Sequence, residues 1–253
     1  MIKLNEMKLL ELINSGNLEE LKLLVETELY NTTISTTDKQ RLNAFKKLAK
    51  SLLQKKSPVY NRPSMQGAYV DNDNMMTICD SYRVVRLFTD KVIGCTMVDK
   101  ELKFMDTSKI MKDTKDGARV QIQLDINDIL LQYKKFKATK EKVTNVKNYG
   151  VYIVELDTTD FDLTVSEPKL LKNGKLPMAF NIQYLKDAHD TLDFSEEIEF
   201  YVSDGNAHIN PLYIESDNGQ GLVLPIRMLV KRDEDRKVVS DWYNDYEELT
   251  ESM

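Results

Sequence analysis

A chain of 253 residues that is 42% hydrophobic and 30% charged has the composition of an ordinary globular protein, with enough apolar surface to bury one large or two modest cores. Its formal charge of -6 excludes a uniformly basic surface, so a nucleic-acid partner would have to meet a local concentration of Lys and Arg. No apolar stretch reaches the ~18–20 residues of a membrane span, Met1-Ile2-Lys3 does not open a signal peptide, and Cys79 and Cys95 form neither a metal spacing nor a disulfide framework. The expectation is a cytoplasmic protein without membrane partners.

Residues 1–30 read as two helices, with Leu4, Met7, Leu10 and Ile13 on one face of the first and Leu18, Leu21, Leu24 or Val25, and Leu29 on the second. Gly16 ends the first, and Asn17 with Glu20 makes a capping-box start for the second. The polar tract Asn31 to Thr37 predicts a loop. A third helix is expected from near Thr37, with Gln40 at the reciprocal capping position, burying Leu42, Phe45, Leu48, Ala49, Leu52 and Leu53. Its other face carries Lys39, Arg41, Lys46, Lys47, Lys50, Lys55 and Lys56 against Asp38, which suits either a solvated face or a surface that meets phosphates.

Beyond Lys112 to Gly117, a charged and turn-prone link, Val120, Ile122 and Leu124 alternate as a strand. Asp125 caps a helix carrying Ile126, Ile129, Leu130, Tyr133 and Phe136, whose body and exit are basic through Lys134, Lys135, Lys137, Lys140 and Lys142. Val151, Ile153 and Leu156 resume the alternation. Leu176 to Phe180 is an apolar run, and Asn181 caps a helix that places Tyr184, Leu185, Ala188 and Leu192 on one face. Ile198, Phe200 and Val202 then alternate with polar neighbours, Ser203 to Asn206 turns the chain, and Ile209 to Ile214 and Leu222 to Ile226 give two more strands. The order over this stretch is strand, helix, three strands. Residues 231–253, rich in Asp and Glu around Trp242, Tyr243 and Tyr246, read as an acidic tail that is mobile, packed on the surface, or docked on a partner.

The ordered set Phe180-Asn181, Tyr184-Leu185, Asp187-Ala188, Pro211 with Ile214, Gly221 and Leu224-Pro225-Ile226-Arg227-Met228 resembles the last repeat of the bacterial sliding clamp, the beta subunit of DNA polymerase III. A second stretch, Arg62-Pro63, Gly67 and Cys79-Asp80-Ser81-Tyr82-Arg83-Val84, is similar to the middle domain of that family, which has Thr-Asp-Gly-His-Arg-Leu at the last position. Asp80 and Arg83 match outright, Tyr82 keeps a ring and Val84 an apolar group. Ser81 departs where Gly would allow backbone angles that Ser resists. Phe104 to Ile110 resembles the connector before the last clamp domain, and too little chain lies between Leu87 and this connector for a second full repeat.

The resemblance implies an α+β fold of DNA-clamp-like strand-helix-three-strand repeats with an N-terminal helical extension. The divisions are a helical segment 1–36, an abbreviated clamp-like domain 37–117, a C-terminal clamp-like domain 118–230 and the tail 231–253. It implies a DNA replication accessory, a processivity factor without catalytic residues, cofactor or metal. Clamp rings have six domains and this chain supplies at most two, so encirclement would need several copies, three by that arithmetic. Double-stranded DNA would be held without sequence reading by Lys39, Arg41, Lys46, Lys47, Lys50, Lys134, Lys135 and Lys137. Of the three candidate inner helices, 182–192 is not basic, since Asp187 and Asp190 outnumber Lys186. Linear peptides of polymerase or other replication proteins would enter a groove walled by Tyr82, Arg83 and Val84 on one side and Leu224, Pro225, Ile226, Arg227 and Met228 on the other. The alternative is a clamp-fold adaptor or decoy that binds such peptides without encircling DNA.

Catalytic readings have less behind them. His189 and His208 belong to no zinc or nucleophile motif. Asp157, Asp160 and Asp162 would suit a divalent ion and a metal-dependent nuclease, but a turn between strands accounts for them equally. Asp71 to Asn74 begins like a calcium loop, and Met76 stands where its sharp turn needs Gly.

Overall fold

The computed structural model describes residues 6–33, 35–89, 92–140, 150–157, 175–193, 197–203, 209–226, 231–232 and 238–240. These residues form a mixed α+β structure. The first helix, α1 (Glu6–Ser15), stops at Gly16, which takes the left-handed φ of +68° that terminates helices at little cost to glycine. In α2 (Leu18–Thr33) the Glu20 N–H donates to Asn17 Oδ1 at 3.2 Å and the Asn17 amide donates back to the Glu20 carboxylate at 3.0 Å, the capping pair expected from the sequence. The polar tract expected as a loop from Asn31 is instead helical as far as Thr33. Residues such as Asn and Thr cost a helix only about 0.7 kcal/mol each, less than a nucleated helix gains by continuing.

The third helix, α3 (Thr36–Ser51), begins slightly earlier than predicted. Ser35 is its cap: the Asp38 N–H donates to Ser35 Oγ at 3.0 Å, and the Ser35 hydroxyl donates to the Asp38 carboxylate at 2.7 Å. Asp38, in place of Gln40, is the residue that pairs with the cap, and it adds a negative charge at the positive end of the helix. After a 3-10 turn at Pro63–Met65 come β1 (Ala68–Val70), β2 (Met76–Cys79) and β3 (Arg83–Leu87). Gly67 opens β1 because the chain runs close there: a Cβ would meet Thr96 O at 2.9 Å.

The charged segment expected as a link over 112–117 is part of a helix, α4 (Thr107–Gly117). Asp106 starts it by accepting from the Lys109 N–H at 3.1 Å, and Thr107 and Met111 are buried. A single buried apolar position in a lysine-rich segment is too little periodicity to show in the sequence. Next are β4 (Ala118–Ile122), α5 (Ile126–Lys140), β5 (Val151–Asp157), β6 (Lys175–Asn181), α6 (Ile182–Leu192), β7 (Ile198–Ser203), β8 (Leu212–Ser216) and β9 (Gly219–Val223). The strand-helix-three-strand order is present in β6 to β9, with the last two strands shifted from their expected bounds. Pro211, which has no N–H to give a ladder, stands just before β8, and the turn at Asp217-Asn218 starts β9 at Gly219. In the region expected as tail, β10 (Lys231–Arg232) pairs with β11 (Val238–Ser240), and residues 241–253 lie outside the described residues.

Seven strands form one antiparallel sheet in the order β1-β2-β3-β9-β8-β7-β4, while β5 and β6 form a separate ladder. The junction β3–β9 joins the N-terminal half of the chain to the C-terminal half, with Arg83 opposite Val223 and Leu87 opposite Gly219. On one face α6 lies against β3 and β9 and buries Leu185, Ala188 and Leu192. Both α3 and α5 pack on α6, and all three helices contribute to one continuous core.

On the opposite face Arg86 is buried and joins its neighbours by ion pairs to Asp71 at 2.6 Å and Asp73 at 2.6 Å and a hydrogen bond to Gln220 at 3.0 Å. Burial is the largest influence on the Asp71 carboxyl and raises it, yet hydrogen bonds from Arg86, Thr77 and the Met75 N–H together hold it below the usual carboxylate range. From α4, Lys115 reaches Glu215 on this face at 2.8 Å.

Candidate functional site

Two segments far apart in sequence meet at the end of the β3–β9 ladder. The Leu224 N–H donates to Tyr82 O at 2.8 Å, and two residues later the Ile226 N–H donates to Ala179 O at 2.7 Å. The run 224–226 therefore crosses from β3 to β6, with Pro225 bridged to Phe180. Leu224, Pro225 and Ile226 are each half-buried, while Tyr82 is 48% exposed.

The turn that presents Tyr82 takes a conformation unusual for its residue. Ser81 adopts φ of +73°, the left-handed geometry that favours glycine. Asp80 offsets the strain, its Oδ1 accepting from the Tyr82 N–H at 3.1 Å and the Arg83 N–H at 3.0 Å. The Ser81 hydroxyl in turn accepts from Arg62 at 2.8 Å, which brings an exposed guanidinium to the rim.

Tyr82 stacks on Tyr184 in the first turn of α6, with ring centroids 6.1 Å apart and planes inclined by 29°. Tyr184 is there because Asn181 caps α6, accepting from the Gln183 N–H at 2.9 Å. Beneath the pair, Arg83 places its guanidinium 4.3 Å from the centre of the Tyr184 ring. Arg83 also pairs with Asp80 at 2.9 Å and with Asp187 of α6. Burial works to lower the Arg83 guanidinium, and the Asp187 and Asp80 carboxylates more than reverse that, leaving it above its ordinary pKa.

Of the residues expected to wall a peptide groove, Tyr82, Leu224, Pro225 and Ile226 come together at one surface. Arg83 and Val84 do not line it. Arg83 is only 7% exposed and spent on two carboxylates. Val84 is buried and, by strand alternation, faces the side of the sheet away from α6. Arg227 and Met228 lie outside the described residues. Tyr184 and Arg62, which sequence reading did not single out for this surface, are brought to it by the fold. Tyr184 stood in the resemblance as a core-face residue, and its partial exposure is set by the position of α6.

The residues expected to face DNA lie on two helices that share α6 as a neighbour. Lys47 and Lys50 of α3 and Lys134, Lys135 and Lys137 of α5 are exposed. Lys39, Lys46 and Arg41 are half-buried, and Arg41 pairs with Asp38 at 2.8 Å. Hydrogen bonds from Arg41 and Ser35 hold the Asp38 carboxyl below its ordinary pKa.

Between α3 and α6 a cleft of about 640 Å³ opens, with Arg41 and Lys47 on one wall and Asp187, Asp190 and Asp193 on the other. On α6, burial pushes the Asp190 carboxyl up, but hydrogen bonds from His189 and Lys186 bring it below the ordinary value.

Among the described residues no group of three His, Cys, Asp or Glu side chains is placed to hold a metal ion, and no helix is long and apolar enough to cross a membrane. Asp160, Asp162 and His208 lie outside the described residues. No protein-family model matches the chain, and no curated protein does.

Proposed function

We propose that the chain is a clamp-like accessory protein of DNA replication, which takes linear peptides of replication proteins at the β3–β9 junction and holds duplex DNA through the helical layer. The observation that carries this reading is the hydrogen bond from Leu224 to Tyr82, which brings the two clamp-resembling segments to one surface. That surface has what an extended peptide with a Leu or Phe anchor needs: half-buried apolar walls at Leu224 to Ile226, a stacked aromatic pair, and polar directors at Arg62 and the Tyr hydroxyls. The DNA half is supported by α3 and α5, which flank the same helix and present lysines to solvent, where phosphate contacts need them.

A second reading, a peptide-binding adaptor or decoy that does not encircle DNA, is favoured by one feature. In the cleft between α3 and α6, Asp187, Asp190 and Asp193 stand across from Arg41 and Lys47, the first two paired with Arg83 and Lys186. The readings share the groove and differ in DNA binding.

Fluorescence anisotropy of labelled duplexes across a salt series separates them. The clamp-like reading predicts weak binding, equal on unrelated sequences, that falls steeply with salt as counterions cease to be released. Replacing Lys46, Lys47 and Lys50 together by Glu lowers it on every sequence alike. Binding retained in that variant places the contact elsewhere, and no binding at low salt leaves the adaptor.

A further inference from the structure

With Tyr82 and the run 224–226 as the peptide surface, a reading on which this inference rests, we propose that Asp187 is a positioning residue of that surface: it holds Arg83 beneath the Tyr184 ring, keeps the Tyr82–Tyr184 stack assembled, and makes peptide affinity depend on its own negative charge. The two rings belong to different elements. Tyr82 is fixed to the turn before β3, where its N–H donates to Asp80 Oδ1 at 3.1 Å, whereas Tyr184 rides on α6. Arg83 spans the gap. Its Nε donates to Asp80 Oδ2 at 2.9 Å, its Nη1 donates to Asp187 Oδ2, and its guanidinium carbon lies 4.3 Å from the centre of the Tyr184 ring. Asp187 is one turn beyond Tyr184 on the same side of α6, so carboxylate and ring grip the guanidinium together. Gln183 orients the carboxylate by donating to its other oxygen at 2.9 Å. A neutral Asp187 loses the charge that draws Arg83 to α6, and Asp80, on the same turn as Arg83, holds the guanidinium without holding it to the helix.

Solvent reaches Asp187, whose side chain is 22% exposed along the cleft between α3 and α6. The charged and titratable groups around it are Arg83, with Asp80 behind it, from β3 and its turn; Tyr184, His189, Asp190 and Asp193 at α6; and Arg41 and Lys47 across the cleft. Burial is the largest influence and pushes the Asp187 carboxyl up, Asp190 adds to it, and the hydrogen bonds from Arg83 and Gln183 do not reverse it. One guanidinium serves two carboxylates here, which leaves the second easier to protonate. Asp187 therefore takes a proton as pH falls while Asp38, Asp71 and Asp190, held below the ordinary carboxylate range, are still charged.

The test is fluorescence anisotropy of a rhodamine-labelled Leu- and Phe-containing peptide, blocked at both ends and free of Asp, Glu and His, titrated from about pH 7 down to the ordinary carboxylate range of about 4. Wild-type affinity is expected to be highest at neutral pH and to fall at least about tenfold over this range, with circular dichroism unchanged. Asp187→Asn binds about tenfold more weakly than the wild type at neutral pH and loses the pH dependence. Asp187→Glu, which keeps the charge, keeps a pH-dependent affinity. Because histidines titrate within the same range, His189→Gln is the control and follows the wild-type profile. A wild type that binds equally tightly throughout, an Asp187→Asn variant with wild-type affinity or profile, or a profile abolished by His189→Gln overturns the role of Asp187 while the groove stands. A wild type that binds no peptide at any pH removes the groove itself, and this role with it.

Discussion

Arg83 sits where the turn before β3, the sheet and α6 meet, and its partners come from both halves of the chain. Asp80 is three residues away and Asp187 is 104 residues away. A buried guanidinium held by two carboxylates and an aromatic ring is costly to place, but removing it costs more, because the carboxylates stay behind without a counter-charge. Arg83→Met should lower stability by about 3–5 kcal/mol, measured by urea unfolding; a loss below about 1 kcal/mol would mean the pair behaves as a surface one. In the sequence Arg83 read as a groove wall. Its local motif was legible, but nothing nearby could show that Asp187 would claim it.

Acid sensitivity follows from the carboxyls held low. Asp38, Asp71 and Asp190 have folded-state pKa values below their ordinary ones. The folded form then binds fewer protons than the unfolded chain, so their stabilising contribution is complete above the unfolded value of about 3.9 and is lost as pH falls through the folded values. Urea midpoints should therefore drop below about pH 4. Asp71→Asn should flatten that drop while lowering the plateau, because Arg86 loses a buried partner. An unchanged slope in Asp71→Asn would show that Asp71 does not drive it.

At the scale of elements, the β3–β9 junction depends on two glycines. A Cβ on Gly219 would lie 2.0 Å from Arg86 O, and one on Gly221 would lie 3.0 Å from Leu192 of α6. Gly219→Ala should cost about 3 kcal/mol or more by forcing the two strands apart. Gly221→Ala meets side chains rather than backbone, Leu192 at 3.0 Å and Ile214 at 3.5 Å, and should cost less. Thermal melts of the two variants rank them, and equal losses would contradict the packing described. Elements with a strong period or cap were readable: α6 from its apolar face and Asn181, and the α1–α2 break from Gly16 and Asn17. The helix α4 was missed because its segment is charged and turn-prone, and only the tertiary burial of Met111 and Thr107 reveals its inner side. The start of α3 falls earlier than the Thr37–Gln40 spacing suggests because Ser35 and Asp38 form the capping pair.

Across the whole molecule, one antiparallel sheet runs through both halves of the chain, with β3 and β9 as its seam and α3, α6 and α5 layered on one face. The sequence divided the chain at 117, and such a seam is invisible to it, since strand pairing between residues more than a hundred positions apart leaves no periodicity. The resemblance of two separate segments to clamp repeats was the one signal pointing there. The two segments are neighbours at the seam through the hydrogen bond from Leu224 to Tyr82, and Arg83 and Val84 are buried there.

The seam also carries the functional reading, because both forms of it require that Tyr82 and the 224–226 run receive a peptide. An apolar anchor seated there would contribute roughly 1.5–3 kcal/mol, so trimming one wall should weaken binding about tenfold. Fluorescence anisotropy of a labelled Leu- and Phe-containing clamp-binding peptide, titrated with wild type, Tyr82→Ala and Ile226→Ala, measures this directly. Saturable binding by the wild type and about tenfold weaker binding by each variant are expected, with the fold unchanged by circular dichroism. No binding at roughly millimolar concentration, or variants that bind as well as the wild type, would contradict it.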